Sequence, residues 1–308
     1  MEAALARWAG GQCRQAQSRI GQTLHVGDQL GLFAAGDGSR PTRVGDVDIA
    51  YRPASTALAK ASGFMGDYDF TLNPYIGCAY GCTYCYAASF APPERQDDRW
   101  GDWVVVKENA VRKLRNMRTD LAGKTVYMSS VTDPYQLIER RLGLVRELLE
   151  VLADREVRLV VQTRSPLVTR DIDLFKRFEH IRVNMTVTTD SERVRRVFEP
   201  QCTPNRARLA AIGEVVTAGI PASLTMTPLL PVEDPVAFGQ NLRATGVTNF
   251  VVQPFHPDRG RFTAGTRGPA LKLIAELGWD RGAYERTVEA LRRELPQLAE
   301  GRGGFRPA

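Results

Sequence analysis

The sequence predicts an α/β fold built on a parallel sheet, and two observations predict it. Short β-branched runs alternate with segments of helical periodicity through the middle of the chain, the pattern of βαβ units. The chain has 308 residues, 43% hydrophobic and 25% charged, enough for one substantial core of ordinary globular composition with a modest appendage. The alternation supplies about six βα units, too few for a closed eight-stranded barrel, which leaves a partial barrel or an open sheet. Both architectures collect function at the carboxyl ends of the strands.

Residues 1–70 read as an irregular N-terminal extension, with a short helix and then the Gly-rich "GLFAAGDGSRPTRVGD". The segment "FTLNPYIG" enters a cysteine-bearing loop and counts as the first unit. Strands are expected at Thr125–Val131, Val157–Thr163, Ile181–Thr189, Ile220–Pro228 and Thr248–Phe255. Between them "KENAVRKLRNMR", "LGLVRELLEVLAD", "TRDIDLFKRF", "NRARLAAIGEVVTAG" and "DPVAFGQNLRATG" read as helices. Leu144, Val145, Leu148, Leu149 and Leu152 recur at helical spacing and belong to the core. Residues 71–258 thus carry the alternation, and residues 259–308 form a helical extension with a loose tail, "EGRGGFRPA". "GRFTAGTRG" (260–268) lacks the G-x4-G-K-[ST] pattern of a phosphate loop and reads as a flexible cover.

Composition narrows the function. No run of about 18 apolar residues is present, so no membrane span is expected. The stretch "MEAALARWAGGQCRQAQSRIG" lacks the apolar region and cleavage site of a secretory signal. A cytoplasmic, reducing location is therefore expected, where clustered cysteines bind metal more often than they pair as disulfides. The net charge of +6 invites nucleic acid as a partner, but the arginines of "RVRRVFEP" and "NRARLAAIG" are scattered as on solvated helix faces. Hydrolysis has no visible machinery: there is no G-x-S-x-G, and His25, His180 and His256 stand apart.

The chemistry lies in "NPYIGCAYGCTYCYA" (73–87), where Cys78, Cys82 and Cys85 follow the spacing Cys-x3-Cys-x2-Cys. Gly77 and Gly81 let the backbone turn tightly around a ligand. A structural zinc site wants four ligands, often as two separated knuckles or with a downstream His pair. Only Cys13 and Cys202 remain, neither in a second knuckle, and Cys202 reads as an ordinary buried cysteine. An iron–sulfur cubane takes one ligand per iron, normally four thiolates. Three thiolates leave one iron open to a small molecule, which is a catalytic device.

The run Cys78-Ala-Tyr-Gly-Cys82-Thr-Tyr84-Cys85, with an aromatic just before the third cysteine, resembles the signature of the radical S-adenosylmethionine superfamily. "NPYIGCAYGCTYCYA", "WVVVKENA", "SSVTDPYQLIE", "TRSPLVTRDIDLF", "VTTD" and "FEPQCTPNRARLAAI" are similar to the branch containing spore photoproduct lyase and its uncharacterised relatives, over roughly residues 70–230. The resemblance implies a partial (β/α)6 TIM-type barrel behind the N-terminal extension. It implies a [4Fe-4S] cluster on Cys78, Cys82 and Cys85, with S-adenosylmethionine on the open iron. It also implies an external one-electron reductant, a flavodoxin or ferredoxin. One electron then breaks the cofactor's carbon–sulfur bond, and the resulting 5′-deoxyadenosyl radical takes hydrogen from a substrate carbon.

By the same resemblance Tyr84 packs near the adenine, and Ser129, Ser130 and Asp133 meet the methionyl amine. Arg164 meets the carboxylate, a task suited to a guanidinium fork. Asn184, Thr186 and Thr188 alternate along "VNMTVTTD" and share one strand face, expected to point inward toward a polar cofactor. Met226, beside Thr227 and Pro228, is a wall for the adenine. Gln253 and His256, around Phe255 at the end of the sixth strand, are substrate-side candidates, as are Gln136 and Glu139 in "DPYQLIE". The substrate is not named by the sequence, with nucleic acid one class. Photoproduct lyases place a hydrogen-donating cysteine where this chain has Met128, Ser129 and Ser130. A thioether has no S–H to give, so the same hydrogen return is not expected. The alternatives are a DNA photolesion lyase with another hydrogen donor, and a zinc-bearing nucleic-acid-binding protein.

Overall fold

Apolar runs set the strands. In chain order these are β1 (Arg43–Val44), β2 (Val47–Arg52), β3 (Leu58–Lys60), β4 (Phe70–Leu72), β5 (Tyr75–Ile76) and β6 (Trp103–Lys107). After these come β7 (Thr125–Met128), β8 (Arg158–Thr163), β9 (Ile181–Thr186), β10 (Ala222–Met226), β11 (Asn249–Val252) and β12 (Leu298–Glu300). The structure, a computed structural model, describes residues 40–96, 99–256, 268–301 and 305–308. The chain separates into the units Met1–Pro41 and Thr42–Ala308, and every element named here belongs to the second.

The larger sheet has the order β12-β11-β10-β9-β8-β7-β4-β3. All its neighbours are parallel except the edge strand β3, which runs antiparallel to β4. Leu72 pairs with Met128, Met128 with Val161, and Leu224 with both Met185 and Phe250. These strands are covered on both faces, hence their near-continuous apolar character. Among the described residues β12 and β3 do not pair, so the fold is a mixed α/β fold with a parallel sheet and no closed barrel. A smaller sheet, β1-β2-β6-β5, packs Trp103, Val104, Val105 and Val106 into the core beside the cysteine loop.

The helices are α1 (Ala110–Arg115), α2 (Glu139–Leu142), α3 (Leu144–Asp154), α4 (Ile172–Phe175), α5 (Glu192–Phe198), α6 (Asn205–Thr217), α7 (Pro235–Arg243), α8 (Gly268–Glu276) and α9 (Arg281–Glu294). α3 buries the five residues that the helical spacing selects. Ser191, Asp234 and Asp280 cap α5, α7 and α9 by accepting from backbone N–H groups in the first turn. No helix of the described residues is long and apolar enough to cross a membrane.

The structure departs from the sequence reading at several places. Residues 43–60, read as irregular, hold β1, β2 and β3. The parallel set has a seventh member, β12. The expected strands overrun their carboxyl ends, because the chain leaves the sheet at Met128, Thr186, Met226 and Val252 while remaining apolar or β-branched. The peptide bonds Met128–Ser129 and Thr227–Pro228, at two of these exits, are cis. "TRDIDLFKRF" forms only the short α4 after a 3-10 turn over Pro166–Asp171. The tail is docked: Phe305 packs with Met65, Tyr68, Tyr127, Val160 and Val251. Tyr68 OH donates to Phe305 O at 2.9 Å, and Arg158 Nε to Ala308 O at 2.8 Å. The flexible cover expected at 260–268 lies, up to residue 267, outside the described residues.

Candidate functional site

The cysteine loop follows β5, and two missing side chains allow its path. Gly77 has φ +78°, and a Cβ there would stand 2.7 Å from the ring and the carbonyl oxygen of Trp103. Gly101, at φ +113°, leaves room for Gly81 Cα, 2.9 Å from where its own Cβ would be. Side chains from the β7 exit then suspend the loop. Gln136 Oε1 accepts from Ala79 N at 2.8 Å, Thr132 Oγ1 donates to Gly77 O at 2.6 Å, and Tyr80 OH donates to Tyr135 O at 3.1 Å. Asn73 Oδ1 accepts from Ser130 N and Val131 N at 3.0 Å each, fixing that exit against β4. On the far side Thr83 N donates to Phe198 O at 2.9 Å.

Cys78 and Cys82 are buried and Cys85 is half-buried. Burial pushes Cys78 well up and Cys85 up to about 11; the charges of Asp133, Cys82 and Cys85 add at Cys78, and that of Cys82 adds at Cys85. Cys82 is drawn down instead, first by a hydrogen bond from Cys202, whose Sγ lies 3.9 Å away. The three thiols therefore stand within one another's field, an arrangement that bound cationic iron would relieve. Among the described residues no three His, Cys, Asp or Glu side chains are grouped closely enough to hold one metal ion.

Behind the loop sits a buried charge network. Glu199, at the end of α5, forms a 2.6 Å ion pair with Arg208 of α6, and neither side chain has exposed surface. Its Oε1 accepts from Tyr84 OH at 2.5 Å and from Thr188 Oγ1 at 3.0 Å, and lies 3.6 Å from Arg164 Nε. Arg164 Nη2 in turn donates to Tyr84 OH at 3.1 Å. Burial works against ionisation of Glu199, but Arg208, Arg164 and the Tyr84 hydroxyl hold it at about 2. Arg164 Nε is buried without a hydrogen-bond partner.

Of the residues expected at the cofactor, Tyr84, Arg164 and Thr188 thus meet on Glu199. Asp133 is buried at the β7 exit and accepts from Thr163 Oγ1 and Arg164 N at 2.7 Å and from Tyr135 N at 2.9 Å. Burial nonetheless raises its pKa. Ser129 Oγ donates to Leu72 O at 3.2 Å, and Ser130 is held by Asn73 and Tyr86. Asn184 and Thr186 share one face of β9, as the alternation predicts. Thr186 bonds Gln162 and Thr225, while the Asn184 amide nitrogen is buried without a hydrogen-bond partner. Met226 is fully buried at the end of β10.

The substrate-side candidates are not brought together. Gln136 and Glu139 have no exposed surface. Gln136 is spent on the cysteine loop, and Glu139 on Tyr75 OH, Val145 N and Arg170, the last at 2.7 Å. Gln253 is half-buried at the end of β11, and His256 is exposed. Phe255 packs edge-to-face on Phe198, with 5.7 Å between ring centroids.

The model of the Radical SAM superfamily matches residues 72–243. The chain belongs to the radical SAM superfamily. An uncharacterised protein of Methanocaldococcus jannaschii is 38% identical over 53% of this chain and 61% of its own length. An uncharacterised protein of Mycobacterium tuberculosis is 32% identical over 78% of this chain and 77% of its own length. A radical SAM Nalpha-GlyT isomerase of Pseudomonas phage M6 is 27% identical over 52% of this chain and 33% of its own length. Among solved structures, spore photoproduct lyase with bound AdoMet and dinucleoside spore photoproduct shares the fold. Its TM-score is 0.57 at 14% identity, covering 82% of this chain and 81% of that one.

For this radical SAM protein the sequence reading missed Glu199 and Arg208 as a pair, and took Arg195 and Arg208 for solvated helix surface. Both arginines are buried, Arg208 against Glu199 and Arg195 against Glu192 and the carbonyls of Glu199 and Cys202. The available signal was the run "FEPQCTPNRARL", which sets an acid, a cysteine and an arginine within ten residues.

Proposed function

We propose that the chain is a radical S-adenosylmethionine enzyme with a [4Fe-4S] cluster on Cys78, Cys82 and Cys85, acting on a substrate still to be identified. The observation that carries this reading is the suspended loop that presents Cys78, Cys82 and Cys85 at the carboxyl ends of the parallel strands, within the stretch matched by the Radical SAM model. The donor set suits iron–sulfur ligation, being soft thiolates without a carboxylate among them. When bound, the cluster and S-adenosylmethionine supply one-electron, hydrogen-abstracting chemistry.

The protein's own part is binding, orientation and exclusion of water. Arg164 is the guanidinium offered to the cofactor carboxylate. Glu199 fixes Tyr84 and Arg164 in place, so both meet the ligand already oriented. Asp133 holds the Arg164 backbone through its amide, and Asn184 and Thr186 offer polar contacts from β9. The open run of parallel strands is read as a partial (β/α)6 barrel over residues 71–258, with Met226 among its walls. An external flavodoxin or ferredoxin in a cytoplasmic setting completes the reading. Gln253 and His256 remain the substrate-side candidates.

The test is anaerobic reconstitution with iron and sulfide, then dithionite and S-adenosylmethionine, with 5′-deoxyadenosine as the product measured. Wild type should load iron and sulfide and release 5′-deoxyadenosine, and Cys82→Ala should do neither. A colourless, zinc-holding wild type that yields no product would overturn the reading. Adding a thymine dinucleotide photoproduct, prompted by the dinucleoside bound in the structural neighbour, tests a nucleic-acid substrate in the same assay.

A further inference from the structure

Cys202 has no part in the reaction just described, yet its position is closely built. Cys202 N donates to Glu199 O at 3.1 Å, and Cys202 O accepts from Arg195 Nη1 at 2.7 Å. Arg195 is itself buried and anchored to Glu192 at 2.6 Å. The next residue is held too, with Thr203 O accepting from Arg208 Nε at 3.0 Å. At the other end of the segment Phe198 O is tied to Thr83 N, the residue after Cys82. Backbone bonds on both sides therefore hold the two segments against each other, with the sulfurs 3.9 Å apart.

The surroundings decide what the thiol can do there. Cys202 lies in an apolar cluster with Cys78, Tyr80, Cys82, Ala87, Ala88, Ala91, Trp100 and Trp103. Its hydrogen-bond partner in that cluster is Cys82 Sγ. The two sulfurs are not equivalent. A cysteine ligates iron as its thiolate and keeps no proton, so with Cys82 as ligand the proton between the two sulfurs, 3.9 Å apart, sits on Cys202. A thiol beside a thiolate donates.

We propose that Cys202 is a positioning residue whose S–H donates a hydrogen bond to the Cys82 thiolate and thereby raises the reduction potential of the cluster that Cys82 ligates. Hydrogen bonds to the ligating sulfurs are among the factors that set cluster potentials. Such a bond draws negative charge from the thiolate and so favours the reduced, more negative cluster. The inference rests on the cluster assignment above, and the experiment separates the two.

Wild type, Cys202→Ser and Cys202→Ala are reconstituted anaerobically, assayed for iron and sulfide, and titrated with graded reductant while the reduced cluster is followed by electron paramagnetic resonance. All three should load a full cluster. Cys202→Ala should titrate at a lower potential than wild type, with a smaller reduced fraction at any fixed low potential. Cys202→Ser keeps an O–H donor and should recover most of the difference. Should the alanine variant not fold, Cys202→Val fills the volume without a donor and replaces it. Equal potentials in wild type and the donor-less variant would overturn the proposal, as would a serine variant shifted as far as alanine. Loss of iron from Cys202→Ala to the degree seen in Cys82→Ala would make Cys202 a ligand and overturn it too. A wild type that takes up no iron and sulfide would instead sink the cluster assignment beneath it.

Discussion

Glu199 has no exposed surface, and the arginines that keep it charged set the cost of changing it. Its pKa is depressed from the ordinary 4.5 to about 2, so its stabilising contribution is complete above 4.5 and fades as pH falls toward 2. Glu199→Gln leaves Arg208 buried without its counter-charge, which should cost about 3–5 kcal/mol. Urea unfolding at neutral pH measures the loss. The same variant should show a flatter fall in stability than wild type between pH 4.5 and 2. Asp133 and Glu139 carry the opposite sign, because burial raises both, and their protonated forms favour the native state. Legibility at this scale followed sequence distance. The three cysteines were readable because their spacing is local, whereas Tyr84 meets Glu199 across 115 positions and Cys82 meets Cys202 across 120. No pattern along the chain announces such pairs.

For single elements, the loop over β6 depends on a glycine that the sequence reading had marked. At Gly77 an alanine combines a left-handed backbone with a collision against Trp103. The backbone penalty alone is about 1–2 kcal/mol, and the collision must also displace the loop. Gly77→Ala should therefore lower both thermal stability and the iron bound per chain after reconstitution. Gly123→Ala is the control: its φ of +67° is similar, but nothing lies within 4 Å of the added carbon. It should cost only the backbone penalty and leave iron binding intact. The long strands were legible because a parallel strand covered on both faces reads as an apolar run. Strands of two or three residues, such as β1, β3 and β12, carry no measurable period. The strand exits were misread because Ser129–Val131 and Val187–Thr189 keep strand-like composition after leaving the sheet.

Over the whole molecule, net charge proved a poor guide to surface. Two arginines that the sequence reading laid on solvated helix faces point inward, Arg208 against Glu199 and Arg195 against Glu192 and backbone carbonyls, and each of these pairs adds nothing to the +6. Formal charge counts residues without regard to burial, so it could not separate a basic face from an internal ion pair. The docked tail was missed for a related reason. Gly and Pro around Phe305 suggest loose chain, while burial of that one ring against Tyr68 and Tyr127 and its backbone bonds hold the segment down.

The ties of the cysteine loop have a consequence for the order of assembly. Thr83 is tied to Phe198 at the end of α5 and Ala79 to Gln136 beyond β7, so the loop's shape depends on protein contacts made far along the chain, and we expect it to form with the fold rather than with the metal. Small zinc modules work in reverse, with metal driving the fold. Here the metal-free chain should unfold cooperatively in urea with its far-ultraviolet dichroism intact beforehand. A metal-free chain lacking that transition would refute this order. If it holds, and the proposed cluster is confirmed by reconstitution, iron scarcity would govern the activity of the protein and leave its survival untouched. A starved cell would then keep a folded, dormant stock ready to be loaded when iron returns.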